Sequence, residues 1–196
     1  MKTLVVKIPS LFLFAFLIIG CKSEANVVSS ENDASLSKYG VSVSNLSQEE
    51  VDGLIHMRIE EKLARDVYTV LGTKWNARVF LNIKLSEQTH MEAVKRLLNK
   101  YGISDPLTTD EVGVFPDATF QALYDQLIAQ GNISLHEALL VGVAIEELDI
   151  ADLEYQLTNV VDNPDIIRVY TNLKAGSINH LSAFNRNLTV FKQQDQ

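Results

Sequence analysis

"SEQTHMEAV" (residues 86–94) sets a carboxylate and an imidazole three residues apart, Glu87 and His90, in a run with helical spacing. At about 100° per residue, Phe80, Ile83, Val94, Leu97, Leu98 and Tyr101 form one apolar stripe. Glu87 and His90 lie inside it, one on each side of its centre. This helix therefore aims two polar groups at its buried face, and the stripe holds no Lys or Arg to meet them.

Outward from that stretch, helical periodicity dominates and strand alternation is hard to find. "SQEE" (47–50) is a capping box with Ser47 as N-cap, and predicts a first helix to about Gly72. The helix of the opening stretch spans about Trp75 to Lys100. Residues 101–116, with two prolines and two glycines, read as an ordered loop, followed by a short helix over 117–131. "SLHE" (134–137) is a second capping box, opening a helix to about Asn159. In "VDNPD" (161–165), Asp162 or Asn163 caps the last helix, with Pro164 in its first turn, and that helix reaches about Phe191. Four long helices with one long crossover carrying a short extra helix make an all-α bundle, the connectivity of ferritin-like folds.

The other long helices repeat the pattern of the first. On the last, His180 lies within the stripe of Ile166, Leu173, Phe184 and Leu188, beside Ser177. On the one before it, Glu146 falls near the middle of the stripe of Leu139, Leu153 and Leu157. The first helix has a broad apolar arc, from Ile59 and Leu63 to Tyr68, centred near Glu60 with Glu61 at its edge. "RIEEKLARDVY" (58–68) and "AIEELDIADLEY" (144–155) share I-E-E with an Asp five residues beyond the second Glu. In each half a histidine follows about thirty residues later, which suggests two related helix pairs. A buried carboxylate without a partner costs several kcal/mol, roughly, so a set of them requires neutralisation. A pair of metal cations, bridged by carboxylates and capped by imidazoles, would supply it.

A Glu on one helix, Glu-x-x-His on the next, a crossover, then a Glu and a His on the last pair resembles the ferritin-like di-iron carboxylate proteins. "EEKLARDVY", "SEQTHM", "IEELDIADLE" and "GSINHLSAF" are more similar still to a bacterial and archaeal ferritin-like family known mainly as a domain of unknown function. The resemblance covers about residues 47–192, leaving 193–196 as a tail. It implies metal ligands among Glu60, Glu61, Glu87, His90, Glu146, Glu147 and His180. It favours Glu61, seven residues before Tyr68, where the helical angles favour Glu60. The same choice stays open between Glu146 and Glu147. The pattern departs at Ser177, where a glutamate is expected; Asp149, one turn after Glu146, is a candidate replacement. Tyr68, Tyr155 and Tyr170 read as packing residues with hydroxyls near the core edge. His56 and His136 read as exposed, and Arg65, Asp66 and Asp152 as outer contacts or surface pairs.

The N-terminus tells a separate story. "MKTLVVKIPSLFLFAFLIIG" (1–20) has two early lysines and a short apolar run, and reads as a secretory signal. "IIGC" resembles a bacterial lipobox, with Cys21, the only cysteine of the 196 residues, as the lipid attachment point. Lys22 rather than Asp after it implies the outer membrane of a two-membrane cell. Residues 21–46 read as the lipidated cysteine and a flexible tether. Of the 17 basic residues, Lys2 and Lys7 leave with the signal, so 15 face 25 acidic groups, a formal −10. That balance argues against nucleic acid as a partner. The expected function is an anchored ferritin-like protein binding iron, or manganese as second choice, and reacting with oxygen or peroxide in the manner of rubrerythrin-like relatives. The alternative is a non-catalytic bundle serving as a binding module, metal-free or with a structural metal.

Overall fold

The computed structural model describes residues 46–194, and every described element is a helix. They are α1 (Gln48–Trp75), α2 (Arg78–Lys100), α3 (Ala118–Gly131), α4 (Leu135–Asn159) and α5 (Pro164–Gln194). The signal, Cys21 and most of the tether lie outside the described residues. Helices α1 and α2 form one antiparallel pair and α4 and α5 the other. The pairs close on each other through α2 against α5 and α1 against α4, and α3 rests on α1 and α4. This is the four-helix bundle with one long crossover that the helical pattern predicts.

The termini of the helices follow the local chemistry. Ser47 and Glu50 make the full capping box, and the second carboxylate oxygen of Glu50 accepts the backbone N–H groups of Asp162 and Asn163. One side chain thus ties the starts of α1 and α5 together. Asn163 is the cap of α5, accepting from Asp165 N at 3.0 Å. At α4 only half of the expected box forms: Ser134 caps Glu137 N, while the Glu137 carboxylate takes an N–H from Gln130 instead.

The first turn falls later than Gly72 suggests. Helix α1 runs on to Trp75, and Asn76 takes the left-handed conformation (φ 47°) that ends it. Gly72 serves close approach instead: a Cβ there would stand 2.9 Å from Phe80 Cβ. Trp75 closes that end of the bundle, donating Nε1–H to Gly131 O at 2.9 Å.

Two apolar clusters fill the interior. One gathers Leu63, Val67, Tyr68, Phe80 and Phe184 toward the α1–α2 turn. The other gathers Leu54, Met57, Val94, Leu98 and Tyr170 toward the opposite end. The polar residues of the four long helices sit between them.

Candidate metal centre

Helix α1 is buried on all sides from Met57 to Tyr68, because the crossover packs against its outer face. Three cations fasten that packing. Arg58 grips Asp105 with two hydrogen bonds of 3.0 and 3.1 Å. Lys62, fully buried, is paired with Asp66, donates to Glu111 O at 2.8 Å and lies 4.5 Å from the centre of the Phe115 ring. Arg65 donates to Asp66, to Gln88 and, at 2.7 Å, to Asp110. Asp66 is therefore a buried anchor rather than a surface partner. All three cations face the crossover and α2, so none neutralises Glu60 or Glu61.

On the inner side, the two helix pairs contribute matching groups. From the first pair, Glu61 Oε2 lies 3.2 Å and Glu87 Oε2 2.9 Å from His90 Nδ1. From the second, His180 Nδ1 stands 2.9 Å from Glu87 Oε1 and 3.5 Å from Glu146 Oε2. Glu87 therefore presents one oxygen to each imidazole, and the two rings lie nearly parallel with centroids 5.5 Å apart. All five side chains are at least nine-tenths buried. Tyr68, fully buried rather than at the core edge, donates its hydroxyl to Glu146 Oε1 at 2.7 Å. Gly176 makes room for His90: a Cβ there would meet its Nε2 at 2.7 Å.

The hydrogen bonding of this group is incomplete. Each Nδ1 faces carboxylate oxygens from two different helices, while one ring nitrogen carries at most one proton. Among the described residues, Glu61 Oε1 and Asp149 Oδ1 are buried without a hydrogen-bond partner, and Glu87 Oε1 and His180 Nδ1 face each other at 2.9 Å without hydrogen-bond geometry. Buried polar atoms are rarely left so. Convergent, unsatisfied oxygen and nitrogen donors are what a metal ion requires.

Without a metal, protons carry part of the compensation. Burial drives the Glu61 carboxyl up to about 8 and that of Glu146 to about 7, against the opposing pull of His90 and His180. Burial and the charges of Glu61 and Glu60 push Asp149 well above the usual carboxylate range. Burial acts the same way on Glu87, yet the imidazoles of His180 and His90 on either side hold it down at about 2. His90 and His180 are raised to about 11 and about 9, their neighbouring carboxylates outweighing the burial that disfavours their charge.

Glu61, Glu87, His90, Glu146 and His180 thus converge, and Asp149 lies beside them, hydrogen-bonded by Ser177. Glu147 does not join. It is exposed, turned away by the single helical step that separates it from Glu146. Glu60 is buried but belongs to another group, with His56 3.5 Å away and Asp152 opposite. His56, read as exposed, is in the third turn of α1 with its side chain 40% exposed and 3.4–3.5 Å from two carboxylates. Tyr155 is exposed, not packed, whereas Tyr170 is fully buried with its hydroxyl unpartnered.

A family model described as an uncharacterised protein domain, DUF2202, matches residues 50–194. This chain belongs to the DUF2202 family. The uncharacterised protein MJ0754 of Methanocaldococcus jannaschii is 55% identical to it over 146 residues, 74% of this chain and 78% of the relative. A crystal structure of hypothetical protein MJ0754 from Methanococcus jannaschii matches it with a TM-score of 0.74 at 52% identity. The match covers 76% of this chain and 85% of that one. The DUF2202 segment holds all the convergent residues, from Glu61 to His180; Cys21 lies outside it.

Proposed function

We propose that the bundle holds a carboxylate- and histidine-ligated dinuclear metal centre of the ferritin-like kind. Iron is the first choice and manganese the second, and the expected chemistry is redox with oxygen or peroxide. The observation that carries this reading is Glu87 shared between His90 Nδ1 and His180 Nδ1, at 2.9 Å from each, while Arg58, Lys62 and Arg65 are all paired elsewhere. Carboxylates with imidazoles suit iron and manganese better than soft metals, which favour thiolates.

In this reading Glu61, Glu87 and His90 would hold one ion, and Glu87, Glu146 and His180 the other. Tyr68 fixes the carboxylate orientation of Glu146, and Asp149 supplies the carboxylate that Ser177 lacks. When bound there, iron would supply electron exchange with oxygen or peroxide. The surrounding apolar clusters keep bulk water from the group.

The test is the metal content of the purified full chain, by elemental mass spectrometry without chelators and after anaerobic addition of ferrous iron. A loss of one to two equivalents in Glu87→Ala/His90→Ala relative to the wild type supports the centre. No bound metal in either preparation overturns it and leaves the non-catalytic bundle. Metal bound without any change of oxidation state on peroxide addition assigns a structural ion instead.

The anchoring proposal rests on residues 1–22 alone: export, lipid on Cys21, and the outer membrane where the host has one. Palmitate labelling of the full chain, abolished in Cys21→Ser, supports it; labelling that persists in that variant, or none in the wild type, overturns it.

A further inference from the structure

Outside the central group, α1 and α4 bring together His56, Glu60 and Asp152. His56 Nε2 lies 3.5 Å from Glu60 Oε2 and 3.4 Å from Asp152 Oδ2. Both carboxylates converge on the same ring nitrogen, which carries at most one proton, and both distances exceed the ~2.7–3.2 Å of an N–H···O hydrogen bond. The spacing matches a different arrangement. Nitrogen and oxygen donors ~2.1 Å from a tetrahedral ion stand about 3.4 Å from one another.

Glu60 gives the second, independent sign. It is only 3% exposed, and neither of its carboxylate oxygens has a hydrogen-bond partner. Glu60 has the His56 imidazole, 3.5 Å away and shared with Asp152, as its ion-pair partner, and no hydrogen bond among the described residues. The Phe120 ring of α3, with its centroid 5.2 Å from that of His56, packs against the imidazole and fixes its plane. Side chains of His56 and Asp152 are 40% and 39% exposed, so an ion reaches the group from solvent without opening the bundle.

We propose that His56, Glu60 and Asp152 form a separate site for one divalent first-row cation at the α1–α4 seam, with water completing its coordination. Its donor set of one imidazole and two carboxylates suits zinc, manganese or ferrous iron. The site shares no residue with the central group, so it does not depend on that group binding metal.

The test is equilibrium dialysis of the full chain against Zn²⁺, with bound metal counted by elemental mass spectrometry. Three proteins are compared: the wild type, Asp152→Asn and Glu87→Gln/His90→Ala. Asp152→Asn is expected to lose one equivalent, while Glu87→Gln/His90→Ala retains that equivalent. Because Asp152 is partly exposed, its variant keeps the fold, which circular dichroism verifies. Mn²⁺ added to the wild-type chain is expected to broaden the His56 ring resonances at the first equivalents. Unchanged zinc content in Asp152→Asn, or loss of all zinc in Glu87→Gln/His90→Ala, overturns the proposal. Loss of zinc in Asp152→Asn alone supports this site and shows that the central group takes no zinc; the iron reading of the central group stands or falls on its own metal analysis, so the two readings fail separately.

Discussion

Ser177 on α5 donates its hydroxyl to the carboxylate of Asp149 on α4. The short side chain leaves the space that a glutamate at 177 would fill, and Asp149 reaches into it from the neighbouring helix. Asp149→Asn is therefore expected to lower bound iron by about one equivalent, since a metal position loses its compensating charge. Moving the carboxylate back, in Asp149→Ser/Ser177→Glu, is expected to restore it. Elemental analysis of the two variants side by side decides; equal metal in wild type and Asp149→Asn would remove Asp149 from the centre.

Glu87 differs from the other carboxylates in facing both imidazoles. Glu87→Gln is expected to empty both metal positions, whereas Glu61→Gln and Glu146→Gln each empty one. Metal-to-protein ratios from the three purified variants distinguish a shared ligand from independent ones. A ratio for Glu87→Gln no lower than for Glu61→Gln would contradict the sharing.

Gly176 is a helix-interior glycine held for its missing Cβ. Alanine ordinarily stabilises such a position by about 0.5–1 kcal/mol. Here the added carbon would stand 2.7 Å from His90 Nε2. Gly176→Ala is expected to weaken metal binding without lowering the urea midpoint of the metal-free chain by more than a small amount. Metal titration and urea unfolding, run on the same preparation, separate the two effects.

Asp66 holds Lys62, Arg65 and the backbone N–H of Gly113, so it fastens the crossover to α1. Removing one partner from a buried ion pair costs about 3–5 kcal/mol. Asp66→Ala is expected to destabilise the fold by that amount and to raise hydrogen exchange across residues 101–116. Glu147→Ala, on the exposed face of α4, should leave the urea midpoint within error of wild type.

Without metal, the central carboxyls of Glu61 and Glu146 titrate at about 8 and about 7, against 4.5 for an ordinary glutamate. The folded chain thus holds more protons than the unfolded one between pH 4.5 and 8, and its stability falls as pH rises through that window. His90 and His180 act in the same direction: their contribution is full below 6.5 and is lost as pH climbs through about 11 and about 9. On the metal-centre reading, a divalent cation replaces those protons. Urea midpoints of chelated and manganese-loaded chain are expected to lie close at pH 5 and to separate by pH 8. Midpoints that run parallel across that range would show that metal and protons do not compete.

Helix α2 was legible because only one of its faces is buried, so Glu87 and His90 within an apolar stripe had a single reading. Helix α1 was not. A helical wheel assumes one inner face, but the crossover covers the other side of α1, and both Glu60 and Glu61 are buried for different reasons. His56 and Asp152 read as separate outer residues because they meet across 96 positions, and nothing local to either one distinguishes it from a surface polar residue. The only local hint was His56 standing four residues before Glu60. Tyr68 carried a signal in its seven-residue offset from Glu61, although the carboxylate it holds is Glu146, on another helix. Gly72 misled because a glycine that lets two helices touch looks, in one dimension, like a glycine that ends one.

The commitment of Arg58, Lys62 and Arg65 to the crossover has a consequence for the life of the protein in the cell. Among the described residues no Lys or Arg reaches the central group, so on the metal-centre reading the folded population depends in part on what the surroundings supply. An ion at 100 times its dissociation constant adds about 2.7 kcal/mol to folding. A chain starved of metal opens more often and offers proteases more chances; a supplied one persists. On the metal-centre reading, its abundance is a running record of metal availability, kept by turnover without any separate sensor.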